Sequence, residues 1–524
     1  MTISINEYLK SFINEKYNDP DALTINYLDN CGKVKSTSNS SLLKSIHKIS
    51  SSFPDNVDLV VLDGNKHPST IAAIIAALIS SKPFVILNPD ISEAKRDSIL
   101  SQLNSYQYIS FEEISWSKHA LTTVSLKAAS QDLYARLDKA SALTCSKNLA
   151  YIVFTSGSTG VPKGVQIRRE SFEVYADYMH DYINTISIQT QLSLSPIFFD
   201  NFIFDLTIYL TCKATLFLAE ANSLLAFLAK ASKVSIPSEI ERINFIYGAP
   251  SIISKLVRSD FFEFTNSTQK PMFIGLGGEP FSWQSAQDLF CKVNLDSRII
   301  NFYGPSECTC MCSSFELNLK DFERQRIMHE AKSSNLPIGT IFDYFSYLVE
   351  NHNYPQTVTT ASGNLLLGGV AIMEGYLDKN RSSFKPIDAD IYYSTGDLVT
   401  EEGSILYIHG RIDNQIKILG VRIELEEIES RCKAILKTSD LLISTHEDRG
   451  LPRIAVIMLD NKHVSGDIEV HPEEISLLKE LNSSLPQSMR ISDVLRTHLF
   501  KLTANGKLDR KFYAAQSQSY LPTV

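Results

Sequence analysis

The 524-residue chain has little of what marks several classes of protein. Its eight cysteines are too few for a disulfide-stapled scaffold of this length. Its net charge of −9 disfavours a general nucleic-acid binder, which usually carries an excess of basic residues. The most apolar run, 71–79, is too short to cross a bilayer, and the charged N-terminus does not resemble a signal peptide. We therefore expect a cytoplasmic protein with neither a nucleic-acid nor a membrane partner.

Three of the cysteines, Cys308, Cys310 and Cys312, occupy alternate positions. A metal site is one interpretation, but paired zinc-binding cysteines usually have two or more residues between them. Alternate residues of a strand share one face. The spacing therefore favours three core or pocket-lining thiols.

The apolar pattern of the first 150 residues predicts a parallel α/β arrangement. Apolar runs at 59–63 and 83–87 are typical of buried strands, and the Ala/Ile/Leu-rich segment 69–80 between them is typical of a helix. Strand, helix and strand in this order form a parallel unit. At 44% apolar and 21% charged residues the chain is globular, and its length requires two or more domains.

Three later segments, 244–250, 271–279 and 298–307, each combine an apolar strand with a glycine-containing turn. They predict the carboxyl edge of a parallel sheet, where α/β proteins bind ligands. Glu307, at the end of the third segment, is either a Mg²⁺ ligand or a solvated loop carboxylate.

A strand followed by a glycine-rich loop stands out at 151–165. The loop, Thr155 to Gly164, has three glycines, four hydroxyl side chains and Lys163. Such a loop offers backbone N–H groups, O–H donors and a cation to a polyphosphate. It is not a Walker A loop, because Gly164 follows the lysine. The alternative is a flexible surface loop.

Asp200 lies within a strongly aromatic segment, where a carboxylate is expensive to bury without a cation or hydrogen-bond donors. It also precedes a helix-like run, so a helix N-cap is a second interpretation. The two interpretations are compatible.

Beyond residue 330 the pattern changes to short β segments with frequent turns, and then to mixed strands and helices. We predict an α/β protein with two domains. The large N-terminal domain, 1–410, contains parallel-sheet α/β subdomains and a β-rich subdomain. The small α+β C-terminal domain, 411–524, is of ordinary domain size.

Five motifs together resemble the adenylate-forming family that contains nonribosomal-peptide adenylation domains, D-alanine–carrier-protein ligases and acyl-CoA synthetases. They are, in the family's order and over essentially the whole chain, 155–164, 302–307, 393–397, 410–417 and 505–507. The resemblance implies a ligase using ATP and Mg²⁺. By this resemblance, a carboxylate would attack the α-phosphate of ATP to give an acyl-adenylate and pyrophosphate, and a phosphopantetheine thiol would then take the acyl group and release AMP.

The resemblance also implies roles for individual residues on the nucleotide side. Glu307 would bind Mg²⁺, and Tyr303 would stack on adenine. Asp397 would bind the ribose, with Arg411 nearby. Phosphates would be bound by Thr155, Ser156, Gly157, Ser158, Thr159 and Lys163, and the adenine and ribose by Gly278, Tyr303, Gly304, Asp397 and Arg411.

Lys507 would be the catalytic residue of adenylation, contacting the substrate carboxylate and the α-phosphate side and thereby offsetting their repulsion. From its position alone it would be a solvated tail lysine. Asp413 would be the hinge on which the small domain moves between the two steps, bringing in the Gly420 loop. Its alternative is an ordinary turn residue.

By the same resemblance, Asp200 would pair with a substrate α-ammonium, which favours an amino acid over a fatty or aryl acid. None of the other matched pocket positions is charged, and three are large aromatics. We therefore expect a small uncharged amino acid lying close to the glycines. These positions are Asn201, Phe204, Tyr247, Gly275, Gly277, Phe302, Cys310 and Met311.

L-proline is favoured, because the aromatic Tyr247 position resembles prolyl-activating enzymes. A D-alanine–carrier-protein ligase is the alternative, although those ligases carry Cys at the Gly277 position.

The chain departs from many relatives at two positions: Asn364, where they usually have Glu, and Ser306, where they usually have Thr. We expect a free-standing enzyme that loads a separate phosphopantetheinylated carrier protein. An acyl-CoA ligase and a non-catalytic ATP-binding module are further alternatives, disfavoured by Asp200 and by the intact set of motif residues respectively.

Overall fold

The structure is a computed structural model. It describes residues 3–29, 31–110, 125–141, 148–155, 161–183, 187–231, 236–265, 267–350, 361–412, 415–418, 421–438, 441–448, 451–459, 469–470, 475–483, 485 and 489–497. The chain divides into two compact units, Met1–Thr155 with Lys163–Ile412, and Ser156–Pro162 with Asp413–Val524.

The first part of the larger unit contains α1 (Ile5–Asn18), β1 (Leu23–Leu28), β2 (Val34–Ser38), α2 (Asn39–Ser51), β3 (Leu59–Asp63), α3 (Pro68–Ile79), β4 (Phe84–Leu87), α4 (Glu93–Leu100), β5 (Tyr106–Ile109), α5 (Leu126–Ser141), β6 (Leu149–Thr155), β7 (Lys163–Arg168) and α6 (Arg169–Ile183). Local sequence explains several boundaries. A Ser4–Glu7 capping box begins α1, and His67 caps α3 ahead of Pro68.

The middle of this unit contains β8 (Thr190–Ser193), α7 (Asn201–Thr211), β9 (Thr215–Leu218), α8 (Ala221–Leu228), α9 (Ser238–Glu241), β10 (Ile243–Gly248), α10 (Pro250–Val257), α11 (Phe261–Phe264), β11 (Phe273–Gly277), α12 (Trp283–Phe290), β12 (Arg298–Tyr303), a 3₁₀ turn (Ser306–Cys308), β13 (Ser313–Leu317), a second 3₁₀ turn (Leu319–Asp321) and α13 (Phe322–Glu330). Its last part contains β14 (Thr340–Ile341), β15 (Phe345–Glu350), β16 (Ala361–Gly369), β17 (Gly375–Tyr376), β18 (Phe384–Ile387), β19 (Asp390–Glu402) and β20 (Ile405–Arg411).

Within the ranges described above, the larger unit forms three sheets. The largest has the order β14-β13-β12-β11-β10-β8-β9-β1-β2, and the second has the order β17-β7-β6-β4-β3-β5. The third, β15-β16-β19-β18 with β20 on β19, is antiparallel in all its pairs. The α/β fold with a β-rich subdomain is therefore confirmed.

The parallel pairing positions the site. Neighbouring strands β8, β10, β11 and β12 are parallel, so their carboxyl ends meet at one edge of the largest sheet. Their central residues are buried because helices cover such a sheet on both faces. The predicted unit β3-α3-β4 also forms with parallel strands.

The smaller unit contains β21 (Gln415–Ile418), β22 (Val421–Glu424), α14 (Leu425–Leu436), β23 (Leu441–Asp448), β24 (Leu451–Leu459), β25 (Glu469–Val470), α15 (Ile475–Ser483) and β26 (Asp493–Thr497). β21 and β22 form a hairpin, and a second sheet has the order β23-β24-β26-β25. The smaller unit has a hydrophobic core of its own, in which α14 packs on β23. That this unit is a mobile domain stays a prediction.

Throughout the described ranges of both units, no helix has the length and apolarity needed to cross a membrane.

Candidate active site

The described ends of the glycine-rich loop lie side by side. Thr155 is the last residue of β6, Lys163 is the first of β7, and the two are antiparallel partners. The Lys163 ammonium lies 5.7 Å from the ring centroid of Tyr376, whose short strand β17 pairs with β7. The other predicted phosphate-binding residues lie outside the described residues: Ser156, Gly157, Ser158 and Thr159. Lys507, Asp413 and Gly420 lie outside them too.

Glu307 is fully buried, in the 3₁₀ turn that follows β12. The alternative of a solvated loop carboxylate is therefore wrong. Its Oε1 accepts a 2.6 Å hydrogen bond from the Tyr376 hydroxyl, and its carbonyl accepts one from the Met373 N–H. Tyr376 thus contacts both Glu307 and Lys163. Sequence analysis missed Tyr376, because a two-residue strand gives no periodic signal.

The predicted ribose and adenine residues also lie together. Tyr303, at the end of β12, donates from its hydroxyl to Asp397 Oδ2 at 2.5 Å. Arg411 Nη1 lies 2.6 Å from Asp397 Oδ1, and these two residues are partners in the β19–β20 ladder. Burial raises the pKa of Tyr303 well above its usual value, and the nearby Asp397 charge adds to the effect. Asp397 is therefore a nearly buried carboxylate that accepts from two side chains.

The departure at Asn364 leaves this arrangement intact. Asn364 is buried, donates to Ser394 Oγ at 2.8 Å and accepts from the Gly396 N–H at 3.1 Å. It therefore fixes the backbone beside Asp397.

Backbone geometry explains why two of the predicted site residues, Gly278 and Gly304, are glycines. Gly278 follows β11 with a φ of +87°, a conformation that L side chains rarely adopt. At Gly304 a Cβ would lie 2.3 Å from the Cys310 carbonyl oxygen and 2.5 Å from Met311 Cα. The turn containing Cys310 therefore packs directly on Gly304.

Asp200 is the N-cap of α7, and one of its oxygens accepts from the Asn201 N–H at 2.8 Å. The other accepts from the Ser306 hydroxyl, so the residue that departs from the family pattern contacts the predicted ammonium partner. Asp200 is half-buried. The cap interpretation is confirmed, and pairing with an ammonium stays a prediction.

The predicted side-chain pocket is a cluster of aromatic rings at the carboxyl edge. The Phe204 centroid lies 4.6 Å from that of Tyr247 and 5.4 Å from that of Phe302. The Tyr247 hydroxyl donates to Asn201 Oδ1 at 3.0 Å.

Both pocket glycines lie against the same side chain. A Cβ would lie 2.4 Å from the Tyr247 hydroxyl oxygen at Gly277, and 2.9 Å from Tyr247 Cδ2 at Gly275. The Tyr247 ring therefore lies over both glycines. That a substrate lies close to the glycine backbone stays a prediction.

Cys308, Cys310 and Cys312 are buried free thiols, as predicted, but they do not lie on a strand. Thr309 and Cys310 have positive φ values of 51° and 85°, and β13 begins only at Ser313. Burial, together with the Asp200 charge, raises the pKa of the Cys310 thiol. In the part of the chain that the structure describes, no group of three or more potential ligands could hold a metal ion.

A second polar cluster, missed from sequence, lies beneath α7. Lys66 donates to the carbonyl of Ser193, the last residue of β8, at 3.0 Å and to that of Ala219, which follows β9, at 2.8 Å. Asp205 is fully buried and accepts from the Ser193 hydroxyl at 2.7 Å and from Gln191 at 2.9 Å. Burial lowers the pKa of Lys66 and raises that of Asp205. The cluster fixes α7 on the sheet.

Fold and site define the class. Buried polar side chains gather outside the carboxyl ends of parallel strands, as in α/β enzymes that bind nucleotides there. A family model described as AMP-binding enzyme matches residues 52–377. The chain belongs to this family of ATP-using adenylate-forming enzymes, and with its ligase relatives it is an AMP-forming acid–thiol ligase.

Among its relatives is the D-alanine--D-alanyl carrier protein ligase of Bacillus velezensis, 25% identical over 86% of this chain and 88% of the relative. Bacitracin synthase 1 of Bacillus licheniformis is 30% identical over 70% of this chain, but the match spans only 7% of that synthase. The crystal structure of the Vibrio cholerae adenylation domain AlmE with glycyl-adenosine-5'-phosphate has the same fold. Its TM-score is 0.70 at 18% identity, covering 99% of this chain and 98% of AlmE.

Proposed function

We propose that the enzyme activates a small uncharged amino acid and loads it onto a separate carrier protein. In the first step a carboxylate oxygen of the amino acid attacks the α-phosphorus of ATP, and pyrophosphate leaves. In the second, the phosphopantetheine thiol attacks the carbonyl carbon of the aminoacyl-adenylate, and AMP leaves. The observation that carries the proposal is Asp200, a carboxylate next to Asn201, which bonds Tyr247 of the aromatic cluster, within an adenylate-forming fold.

On the nucleotide side, Lys163 and Thr155 would hold the β- and γ-phosphates, with the hydroxyls and amides of 156–159. Their adjacency across β6 and β7 supports this role. Preorganised donors stabilise the charge that develops on departing pyrophosphate. Asp397 would accept from the ribose hydroxyls, with Arg411 holding it in place. Tyr303 would stack on adenine.

The residues present fit Mg²⁺ in one way. Mg²⁺ in nucleotide sites commonly takes one or two carboxylates and completes its shell with phosphate oxygens and water. Glu307 offers a carboxylate whose Oε1 is oriented by Tyr376. We propose that Glu307 holds the cation, whose charge would neutralise phosphate oxygens.

On the acid side, Asp200 would pair with the α-ammonium, a role that a fatty or aryl acid would leave unused. The buried aromatic rings of Phe204, Tyr247 and Phe302 narrow the space for the side chain, which supports a small uncharged one. L-proline and D-alanine are the candidates taken from the sequence. The D-alanine ligase relative and the glycyl-adenylate bound to AlmE support a small acid.

Lys507 would bridge the substrate carboxylate and the α-phosphate, and Asp413 would be the hinge between the two steps. The carrier protein is proposed because the ligase relative, of nearly the same length, is named for one. An acyl-CoA ligase is the alternative, and the position of Asp200 disfavours it.

ATP–pyrophosphate exchange across the proteinogenic amino acids, with glycine and D-alanine included, tests the proposal. We expect exchange with small uncharged amino acids and none with charged ones. Lys507→Ala should abolish exchange while ATP binding, measured by calorimetry, persists. Exchange that requires a bulky or charged amino acid, or a fatty acid, would contradict the proposal.

A further inference from the structure

The segment 194–200 joins β8 to α7 and ends at Asp200, the proposed partner of the substrate ammonium. The structure describes every residue of this segment, and none of them belongs to a helix or a strand. A functional carboxylate keeps its position only where the elements that support it are themselves fixed. The position of Asp200 therefore depends on what holds Ser193 at one end of the segment and α7 at the other.

Lys66 holds the β8 end. Its ammonium donates to the Ser193 carbonyl at 3.0 Å and to the Ala219 carbonyl at 2.8 Å. It thereby joins the carboxyl ends of β8 and β9, which are parallel neighbours. Lys66 itself lies between β3 and α3, and β3 belongs to the second sheet. One side chain thus connects the carboxyl edges of the two sheets at the start of the segment.

The same β3–α3 connection packs on the middle of the segment. A Cβ on Gly64 would lie 3.1 Å from Phe198 Cδ1 and 2.6 Å from the Leu87 carbonyl oxygen. Gly64 therefore fits between the end of β4 and the residue two positions before Asp200. Glycine permits so close an approach because it has no side chain.

Asp205 holds α7, the element that follows the segment. It is fully buried and accepts from two residues of β8, the Ser193 hydroxyl at 2.7 Å and the Gln191 amide at 2.9 Å. Burial raises the pKa of Asp205, while both hydrogen bonds and the charge of Lys66 lower it. These partners offset part of the cost of burying a carboxylate. Asp205 follows Asp200 by about 7.5 Å along the helix axis, so it fixes the turn that Asp200 caps.

Ser193 connects the two ends. Its carbonyl accepts from Lys66 and its hydroxyl donates to Asp205. The contacts therefore run without a break from the β3–α3 connection, through the last residue of β8, to the helix that begins after Asp200.

We propose that Lys66, Ser193 and Asp205 are positioning residues that hold Asp200 in place and thereby set the affinity of the enzyme for the α-ammonium of the amino acid. The inference rests on the proposed function and deepens it. The proposed ribose residues Asp397 and Arg411 lie on β19 and β20, outside this network. The three positioning residues should therefore act on the binding of the amino acid and leave the binding of ATP unchanged.

The test measures KM for both substrates in ATP–pyrophosphate exchange. Ser193→Ala removes the hydroxyl that donates to Asp205 and keeps the carbonyl that accepts from Lys66. We expect KM for the preferred amino acid to rise by about tenfold, as for the loss of a hydrogen bond to a charged group, while KM for ATP stays within about twofold. Lys66→Met keeps the apolar stem, removes the ammonium and should show the same selectivity. Partial unfolding does not imitate this result, because it lowers the concentration of active enzyme and so the apparent kcat.

Ser267→Ala is the matched control. Ser267 is fully buried between α11 and β11, and its hydroxyl donates to the carbonyls of Phe262 at 2.9 Å and Lys292 at 2.6 Å. The variant should lower the melting temperature and leave KM for the amino acid unchanged.

A double-variant comparison shows whether the network acts through Asp200. In the Asp200→Asn background, Ser193→Ala should change KM for the amino acid by less than about twofold, because the carboxylate that it positions has already lost its charge. Two independent effects would multiply instead. Asp205→Asn, which keeps the size of the side chain, replaces the other two variants should both fail to fold.

Three outcomes would overturn the inference while leaving the proposed function intact. They are an unchanged KM for the amino acid in the folded variants, an equal rise in KM for both substrates, and multiplying effects in the Asp200→Asn background. The absence of amino-acid-dependent exchange in the wild type, or an unchanged KM for the amino acid in Asp200→Asn itself, would instead contradict the proposed function.

Discussion

The Tyr376 hydroxyl donates a 2.6 Å hydrogen bond to Glu307 Oε1, and the same ring lies 5.7 Å from the Lys163 ammonium. One side chain therefore contacts both the proposed Mg²⁺ ligand and the proposed phosphate lysine. Its two contacts differ in kind, since the ring faces the cation and the hydroxyl orients the carboxylate.

Replacing Tyr376 by Phe separates these contacts, because it keeps the ring and removes the hydroxyl. A hydrogen bond to a charged group contributes about 1.5–3 kcal/mol, so we expect kcat/KM for ATP to fall by about tenfold or more. The concentration of Mg²⁺ that gives half-maximal exchange should rise. Exchange rates measured over a Mg²⁺ series at fixed ATP would show both effects.

Tyr347→Phe is the matched control, because the Tyr347 hydroxyl donates to Glu401 at 2.7 Å on the antiparallel sheet. It should leave the Mg²⁺ dependence unchanged. Equal behaviour of the two variants would mean that Tyr376 does not act through Glu307.

Gly277 is held as glycine by Tyr247. A Cβ there would lie 2.4 Å from the Tyr247 hydroxyl oxygen and 3.2 Å from two ring carbons. We expect Gly277→Ala to destabilise the enzyme by about 1–3 kcal/mol, as overpacking does, and to weaken exchange. Adding Tyr247→Phe should recover part of the stability because it removes the closest atom.

Gly248→Ala, at the end of neighbouring β10, is the control for this pair. Its Cβ would lie 3.6 Å from Ile253, which is an ordinary contact. The free energy of unfolding, measured with denaturant, should therefore change little. A Gly277→Ala variant as stable as Gly248→Ala would show that the Tyr247 ring moves freely.

His67 predicts a pH dependence of stability. Its Nδ1 caps α3 by accepting from the Ser69 N–H at 3.2 Å, and burial lowers its pKa from 6.5 to about 4. The unfolded chain therefore takes up the proton first as the pH falls. The contribution of the uncharged His67 to the stability of the folded state is complete above about pH 6.5 and is lost progressively towards pH 4.

His67→Asn keeps a capping acceptor and removes the titration. The difference in free energy of unfolding between wild type and variant should change by about 1 kcal/mol between pH 7 and pH 4, since the ring is part-exposed and screened. Urea unfolding at several pH values measures it. A difference that does not vary with pH would contradict the assignment.

The strands that build the site were predictable because each is a continuous apolar run ended by a turn residue. β3 has the predicted bounds 59–63, β11 and β12 lie within the predicted segments, and β10 begins one residue before its segment, at Ile243. Buried parallel strands leave this signal in any sequence, and their shared carboxyl edge follows from the parallel order.

The contacts that orient the site were not predictable, because they join residues distant in the chain. Tyr376 reaches Glu307 across 69 positions, and Lys66 reaches the carbonyl of Ser193 across 127. The alternate cysteines misled for a local reason. Thr309 and Cys310 adopt left-handed backbone conformations, which are rare for these residue types and so could not be predicted from the sequence.

Asp200 gives the sharpest test of substrate class. Its oxygens accept from the Asn201 N–H and the Ser306 hydroxyl. Asp200→Asn keeps the size and a capping oxygen, so stability should change little. Removing one partner of a buried ion pair costs about 3–5 kcal/mol, so KM for the amino acid should rise by about 100-fold or more while KM for ATP stays within about twofold.

Asp321→Asn is the control, since Asp321 is an exposed carboxylate at the N-cap of α13 and should leave both KM values unchanged. The discriminating measurement compares the amino acid with its analogue lacking the α-amino group. Wild type should reject the analogue. Asp200→Asn should lose most of that discrimination, because a neutral amide interacts only weakly with the ammonium group of the amino acid. If the variant still discriminated as wild type does, the α-ammonium would be bound elsewhere, and the argument from Asp200 to an amino-acid substrate would fail even with the adenylate-forming chemistry intact.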